Sequence, residues 1–105
     1  LIFFAPNDCA SAISQAMFRA GAGHIGNYDS CCFISQGTGQ FRPGEGSDPY
    51  TGNKGEIEYV KELKVEMICP KENVRDVLVA MKKAHPYEEP AYDVICLANH
   101  EFPLE

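Results

Sequence analysis

The segment HPYEEP, residues 85–90, concentrates side chains that can do chemistry in one short stretch. A histidine beside carboxylates is a common metal-ligand set and also a common acid–base pair. Pro86 and Pro90 stiffen the segment, so we expect a rigid turn that fixes side-chain directions. The alternative is a plain turn, in which the histidine satisfies a helix end and the glutamates are solvated. Spacing alone favours that alternative, so the segment defines two hypotheses, a site and a turn.

The segment GAGHIG, residues 21–26, spells G-x-G-x-x-G, the pattern of a loop that wraps a dinucleotide pyrophosphate. That use needs a strand before the glycines and a helix after them, so that the helix N-terminus faces the phosphate. Here the predicted helix precedes the glycines and a strand follows. We therefore predict a helix end at Gly21 and a left-handed turn residue at Gly23. His24 stays a candidate ligand, with a locally hydrogen-bonded turn histidine as the alternative.

Length and charge limit the classes of function. The chain has 105 residues, which predicts one domain over 1–105. A formal net charge of −6 argues against a nucleic-acid surface. No apolar run approaches the roughly 20 residues that span a bilayer, and the start lacks the basic region of a signal peptide. We expect a cytoplasmic protein with no nucleic-acid or membrane partner.

The five cysteines are an odd number and include no C-x-x-C pair. They fall in apolar segments, which predicts reduced thiols in the core of a cytoplasmic protein. Cys31 and Cys32 are adjacent on a predicted strand and so point to opposite faces. A zinc site built from thiolates is not indicated.

The elements that position these groups follow from periodicity. LIFFA predicts a first strand, and residues 8–20 a helix that Asn7 or Asp8 caps. Residues 28–35 predict a second strand that continues toward residue 41. The proline- and glycine-rich residues 42–55 predict a long loop.

In the second half of the chain, residues 56–69 alternate between apolar and charged side chains, which predicts a long strand with one wet face. Pro70 can open a second helix over 71–85, and residues 92–98 predict a last strand. The order β-α-β-β-α-β predicts a ferredoxin-like α+β fold, a four-stranded antiparallel sheet with two helices on one face. The other face is then either solvated or packed against another subunit.

Four motifs in order, GHIGNYDSCCF, GTGQFRP, GEIEYVKELKVEMICP and AHPYEEPAYDV, resemble the domain inserted into YqfO-type proteins, relatives of the yeast NGG-interacting factor. The resemblance implies a CutA- and PII-like module that assembles as a homo-oligomer, with a trimer favoured and a dimer also open. HPYEEP is also similar to the HPYE turn of CutA, where metal binding has been suspected, and His85, Tyr87 and Glu88 match it. In the resembled family, the flanking halves supply the ligands of a two-metal centre. Only three histidines are present here, so a hydrolase or GTP cyclohydrolase label is not carried over, and the chain looks like the inserted module alone.

We therefore expect a non-enzymatic oligomeric module that binds a divalent metal ion or a small molecule, with residues 37–46 as its mobile element. The predicted metal ligands are His85 and Glu88, and the other predicted ligand-binding residues are His24, Asp29, Arg42, Tyr87 and Glu89. No catalytic residue is assigned. Two alternatives stay open: a structural interaction protein, and a metal-assisted hydrolase whose site is shared between subunits.

Overall fold

A four-stranded antiparallel sheet with two helices forms the framework of the computed structural model, which describes residues 1–104. The elements are β1 (Ile2–Pro6), α1 (Ala10–Arg19), β2 (Phe33–Phe41), β3 (Glu58–Glu66), α2 (Val74–Ala84) and β4 (Tyr92–Asp93). The strands lie in the order β2-β3-β1-β4. This arrangement confirms the predicted ferredoxin-like α+β fold. Within residues 1–104, no helix is long and apolar enough to cross a membrane.

The core lies between the helices and one face of the sheet. Strand alternation sends Phe3 and Ala5 of β1, and Val65 of β3, toward the helices. Each helix has a stripe of apolar side chains, spaced three and four residues apart, on the face that packs against the sheet. The largest fully buried side chains are Phe3, Ile13, Met17, Val65, Val77 and Met81. Burying each such side chain contributes about 1.5–3 kcal/mol, which holds both helices on the same face.

The start of α1 differs from the prediction. The residue before the helix is Cys9, and no side chain caps the helix there. The predicted cap at Asn7 or Asp8 is wrong, because the Cys9 N–H donates to the Pro6 carbonyl at 3.0 Å and the two intervening residues are used in a turn. The end of α2 follows the expectation, with Lys82 and Lys83 in its last turn, where cations suit the helix dipole.

Two strands are shorter than their sequences predicted. Strand β2 begins at Phe33 rather than at residue 28, because residues 25–28 close a small bridge of their own and Ser30 has a φ of 57°. Strand β4 covers two residues rather than 92–98. Its two residues pair with β1 in antiparallel register, Tyr92 with Phe3 and Asp93 with Ile2.

The cysteines are free thiols, but none of them lies in the buried core. Cys9, Cys31 and Cys69 are half-buried, and Cys32 and Cys96 are exposed. Cys9 and Cys69 pack against the core from its edge, so the predicted core location is wrong for Cys31, Cys32 and Cys96. Its physical reason is that residues 31 and 32 precede β2 and residue 96 follows β4, so these side chains have no sheet face to pack against.

The GAGHIG segment is a helix-to-strand turn, as predicted. Gly21 and Gly23 have φ values of 118° and 82°, in the left-handed region that glycine adopts without strain. The Gly23 N–H donates to the Ile68 carbonyl at 2.7 Å, and the Gly23 carbonyl accepts from Cys31 N–H at 2.9 Å. These bonds tie the turn to the chain after β3, so the glycines serve the fold.

We expect Gly23→Ala to destabilise the protein more than Gly26→Ala. Both positions have positive φ, which costs an alanine roughly 1–2 kcal/mol. A Cβ at position 23 would in addition lie 2.6 Å from the Phe18 ring and 3.1 Å from the Cys31 carbonyl, whereas a Cβ at position 26 meets nothing within 4 Å. Urea unfolding of both variants measures the difference. Equal losses of unfolding free energy would contradict this account of the turn.

Candidate functional site

A cleft of about 700 Å³ lies on the sheet face that the helices leave uncovered. Its floor comes from side chains on that face, and the strand register places Lys64 between Phe4 and Ser35, and Glu62 beside Gly37. One wall is the loop after β2, and the other is the turn after α2. We call this space the cleft.

Tyr87 belongs to the wall formed by the turn after α2, and it contacts the floor and the opposite wall of the cleft. Its hydroxyl donates to Glu62 Oε2 at 2.7 Å, which joins the turn to β3. Its ring centroid lies 6.1 Å from that of Tyr50 and 6.4 Å from that of Phe41. Burial, together with the Glu62 carboxylate, raises the pKa of Tyr87 well above its ordinary value. Tyr87 therefore stays a neutral hydrogen-bond donor.

The His85 ring packs against the Tyr87 ring, with 4.8 Å between the two ring centroids. Its Nε2 lies 2.7 Å from the Phe4 carbonyl, and its Nδ1 accepts the Tyr87 N–H at 3.1 Å. A carbonyl can only accept, so Nε2 carries the proton and the ring is the neutral tautomer. The side chain is 7% exposed, and burial lowers the pKa of His85, opposed by the bond to Phe4. Both nitrogens are engaged in holding the turn.

Glu88 connects the turn to the long loop. Its Oε1 accepts the Asp48 N–H at 3.0 Å, and its backbone carbonyl accepts from Lys82 Nζ at 2.7 Å. The loop is also closed on itself, because the Gly55 N–H donates to the Pro43 carbonyl at 2.7 Å. The predicted metal ligand thus acts here as a bridge between the two walls of the cleft.

Glu62 lies across the backbone of β2 at Gly39. A Cβ at position 39 would overlap the Glu62 carboxylate, at 2.0 Å from Oε1, so glycine leaves the space that this side chain uses. Four further residues of the cleft were not among the predicted site residues: Phe41, Tyr50, Glu62 and Lys64. A signal for two of them is present in the sequence. Glu62 and Lys64 are among the charged residues that alternate with apolar ones along the third strand, and these charged residues lie on the uncovered face of the sheet.

The structure brings some of the predicted site residues together and separates others. Arg42, Tyr87, Glu88 and Glu89 line the cleft. His24 and Asp29 do not; both are exposed in the connection between α1 and β2, where Asp29 Oδ1 accepts from the Ser30 hydroxyl at 2.9 Å. In the part of the chain that is described, residues 1–104, no three His, Cys, Asp or Glu side chains are grouped to hold a metal ion.

Comparison with known proteins relates the chain to one segment of longer proteins. It is 50% identical over 99 residues to the "GTP cyclohydrolase 1 type 2 homolog" of Halalkalibacterium halodurans, which covers 94% of this chain and 27% of that protein. The protein of the same name from Mycobacterium tuberculosis is 44% identical over 96 residues, covering 91% of this chain and 25% of that protein. No family model matches the chain.

Among solved structures, a Bacillus cereus protein described as related to NIF3 matches with a TM-score of 0.80 and 47% identity, covering 93% of this chain and 25% of that one. The chain thus spans about a quarter of the length of the relatives it matches. These matches confirm the predicted relation to NGG-interacting-factor-like proteins at the level of a homologous segment.

We expect His85 to make stability fall as the pH falls. Its pKa is about 6.5 when unfolded and lower when folded, so the unfolded chain takes up the proton first. The stability is full above pH 6.5 and is lost as pH falls through that value toward the folded pKa, at up to about 1.4 kcal/mol per pH unit.

Urea unfolding at pH 7.5 and 5.5 measures this loss. His85→Gln should lose less stability than the wild type over this interval. The matched variant His24→Gln, at an exposed histidine outside the cleft, should lose as much as the wild type. Parallel losses in all three proteins would contradict the assignment of a buried neutral histidine.

Proposed function

We propose that this chain is a non-enzymatic module that binds a small molecule in the cleft. The observation that carries the proposal is that polar side chains from two distant segments line the same cleft. The loop after β2 contributes Arg42, and the turn after α2 contributes Tyr87, Glu88 and Glu89. A largely preformed concavity with aromatic walls and a few polar groups is the usual form of a small-molecule site. A purely structural role would not require such a space.

Between a small molecule and a metal ion as the ligand, the contacts favour the small molecule. His85 already has partners at both ring nitrogens, and one Glu88 oxygen holds the Asp48 N–H. A metal ion on these two side chains would have to displace the bonds that shape the turn. A molecule in the cleft keeps them and uses the groups that face the open space.

The name of these relatives contains an enzyme activity, but it describes proteins about four times as long. We therefore propose the binding role for this segment and no catalytic role. The free thiols of the five cysteines support the cytoplasmic, reducing location that we propose with it.

Filling the cleft tests the proposal. Gly37 lies on the cleft face, opposite Glu62, and a Cβ there meets nothing within 4 Å. We expect Gly37→Phe to fold and to block binding, and Val79→Phe, at an exposed position on α2 outside the cleft, to leave binding intact.

The measurement is a fragment screen by ¹⁵N–¹H NMR, in which hits shift amides of residues 35–44 and 87–91. Hits should disappear in Gly37→Phe and persist in Val79→Phe. Fragments that bind Gly37→Phe with unchanged affinity would contradict the proposed site, as would a screen in which no fragment shifts these amides.

We also propose that the chain assembles with copies of itself, with a trimer favoured. Support comes from the segment after β4, in which Val94, Ile95, Leu97 and Phe102 are 51–75% exposed. Several exposed apolar side chains within one short segment are typical of contacts between proteins. The exposed Phe33 and Ile34 add to the apolar surface at β2, an outer strand of the sheet.

Light scattering at micromolar concentration should give about three times the chain mass of 11.6 kDa. The double variant Ile95→Lys, Leu97→Lys should be monomeric with an unchanged fold, because these side chains are exposed in the single chain. Val79→Lys, an equally exposed position on α2, serves as the control and should keep the oligomer. A monomeric wild type would contradict this part of the proposal.

A further inference from the structure

The cleft contains a cluster of three aromatic rings, Phe41, Tyr50 and Tyr87, which we call the aromatic cluster. The rings of Tyr50 and Tyr87 are inclined by 53°, and those of Phe41 and Tyr87 by 52°. Rings inclined this far are not stacked flat, so part of each face stays uncovered. All three residues line the cleft, and Tyr50 is 58% exposed.

Three carboxylates line the cleft together with the aromatic cluster. Glu62 accepts the Tyr87 hydroxyl, and Glu88 and Glu89 follow Tyr87 in the turn. In the sheet register Glu58 is paired with Phe41 on the same face. The Tyr87 O–H···Glu62 bond also enriches the electron density of the Tyr87 ring, which strengthens the attraction of its face for a cation.

The two cations that line the cleft are placed differently. Lys64 is paired with Phe4 and Ser35, one step along the floor from Glu62 and away from the loop. Arg42 follows Phe41 and is exposed to solvent. Lys82 also reaches the turn, where its Nζ donates to the Glu88 carbonyl at 2.7 Å. Among the residues that line the cleft, three carboxylates stand against two cations, in a chain whose net charge is −6.

We infer that the aromatic cluster binds an organic cation, an alkylated or primary ammonium group, with its charge against the ring faces and near the carboxylates. The inference rests on the proposed function, since it names the ligand class of the same cleft. Ring faces attract ammonium groups through their quadrupoles, by an amount that corresponds to a few-fold in affinity at exposed sites and more when water is excluded. A neutral ligand gains only the apolar contact, and an anion meets the carboxylates.

Three probes of the same shape separate these possibilities. Choline carries a positive charge, 3,3-dimethyl-1-butanol is its uncharged isostere, and 3,3-dimethylbutyrate carries a negative charge. Each is titrated into the labelled wild-type chain to millimolar concentration, and amide shifts are followed by NMR. We expect choline to shift the amides of residues 41–51 and 87–89 at roughly threefold or more lower concentration than the alcohol, and the butyrate to bind most weakly.

Variants locate the effect. Tyr50→Leu should weaken choline binding roughly threefold or more while the alcohol changes less, because leucine keeps an apolar contact and lacks the ring. Tyr28→Leu is the matched control, since Tyr28 is 74% exposed and lies outside the cleft. Glu62→Gln should weaken choline more than it weakens the alcohol, and the dispersion of the same spectra shows whether each variant is folded.

The outcomes distinguish this inference from the proposal on which it rests. Equal binding of choline and the alcohol, or tighter binding of the butyrate, would overturn the cation inference and leave the cleft as a ligand site. Choline shifts that are absent, or that survive Tyr50→Leu unchanged, would overturn it as well. The Gly37→Phe fragment screen decides separately whether the cleft binds ligands at all.

Discussion

The two hydrogen bonds of His85 are the constraint on which the cleft depends. Nε2 binds the carbonyl of Phe4 in β1, and Nδ1 receives the N–H of Tyr87, so one neutral ring joins the turn after α2 to the centre of the sheet. A neutral imidazole has one protonated nitrogen, so Nε2 as the donor leaves Nδ1 as the acceptor. The position of Tyr87, and through it the cleft wall, follows from this tautomer.

Tyr87 in turn fixes the position of a side chain in β3, and that side chain lies against β2. The hydroxyl of Tyr87 holds the Glu62 carboxylate, and that carboxylate occupies the space above Gly39 that a larger residue would close. A charge is costly to bury unless its oxygens are hydrogen-bonded, and a half-buried Glu62 meets that condition through Tyr87. The glycine in β2, the glutamate in β3 and the tyrosine in the turn therefore form one unit, although they are far apart in sequence.

The sequence predicted the fold well because the fold depends on local periodicity. The alternation of the third strand and the apolar stripes of both helices are visible over many residues, and each is confirmed by the buried set that includes Val65, Met17 and Val77. The errors lie where a long-range partner decides. The last strand covers only Tyr92 and Asp93, which pair with Phe3 and Ile2 of β1, and the pattern within residues 92–98 does not indicate that register.

The candidate site could likewise be predicted only in part. HPYEEP was identified from residue types alone, and Tyr87, Glu88 and Glu89 do line the cleft. Their roles were not readable, because a histidine and a glutamate have the same types whether they coordinate an ion or satisfy backbone groups. Glu62 and Tyr50 were missed since their importance comes from the register of β3 and the path of a long loop.

The same contacts couple the loop to the turn. The loop touches the turn through the Asp48 N–H on Glu88 and through the Tyr50 and Tyr87 rings, so one charge-assisted hydrogen bond and one ring contact join the two walls of the cleft. A ligand that touches the rings of Tyr50 and Tyr87 therefore contacts the loop and the turn at once. The affinity of the cleft thus depends on the same Glu88 and Tyr87 contacts that fix the position of the loop relative to the turn.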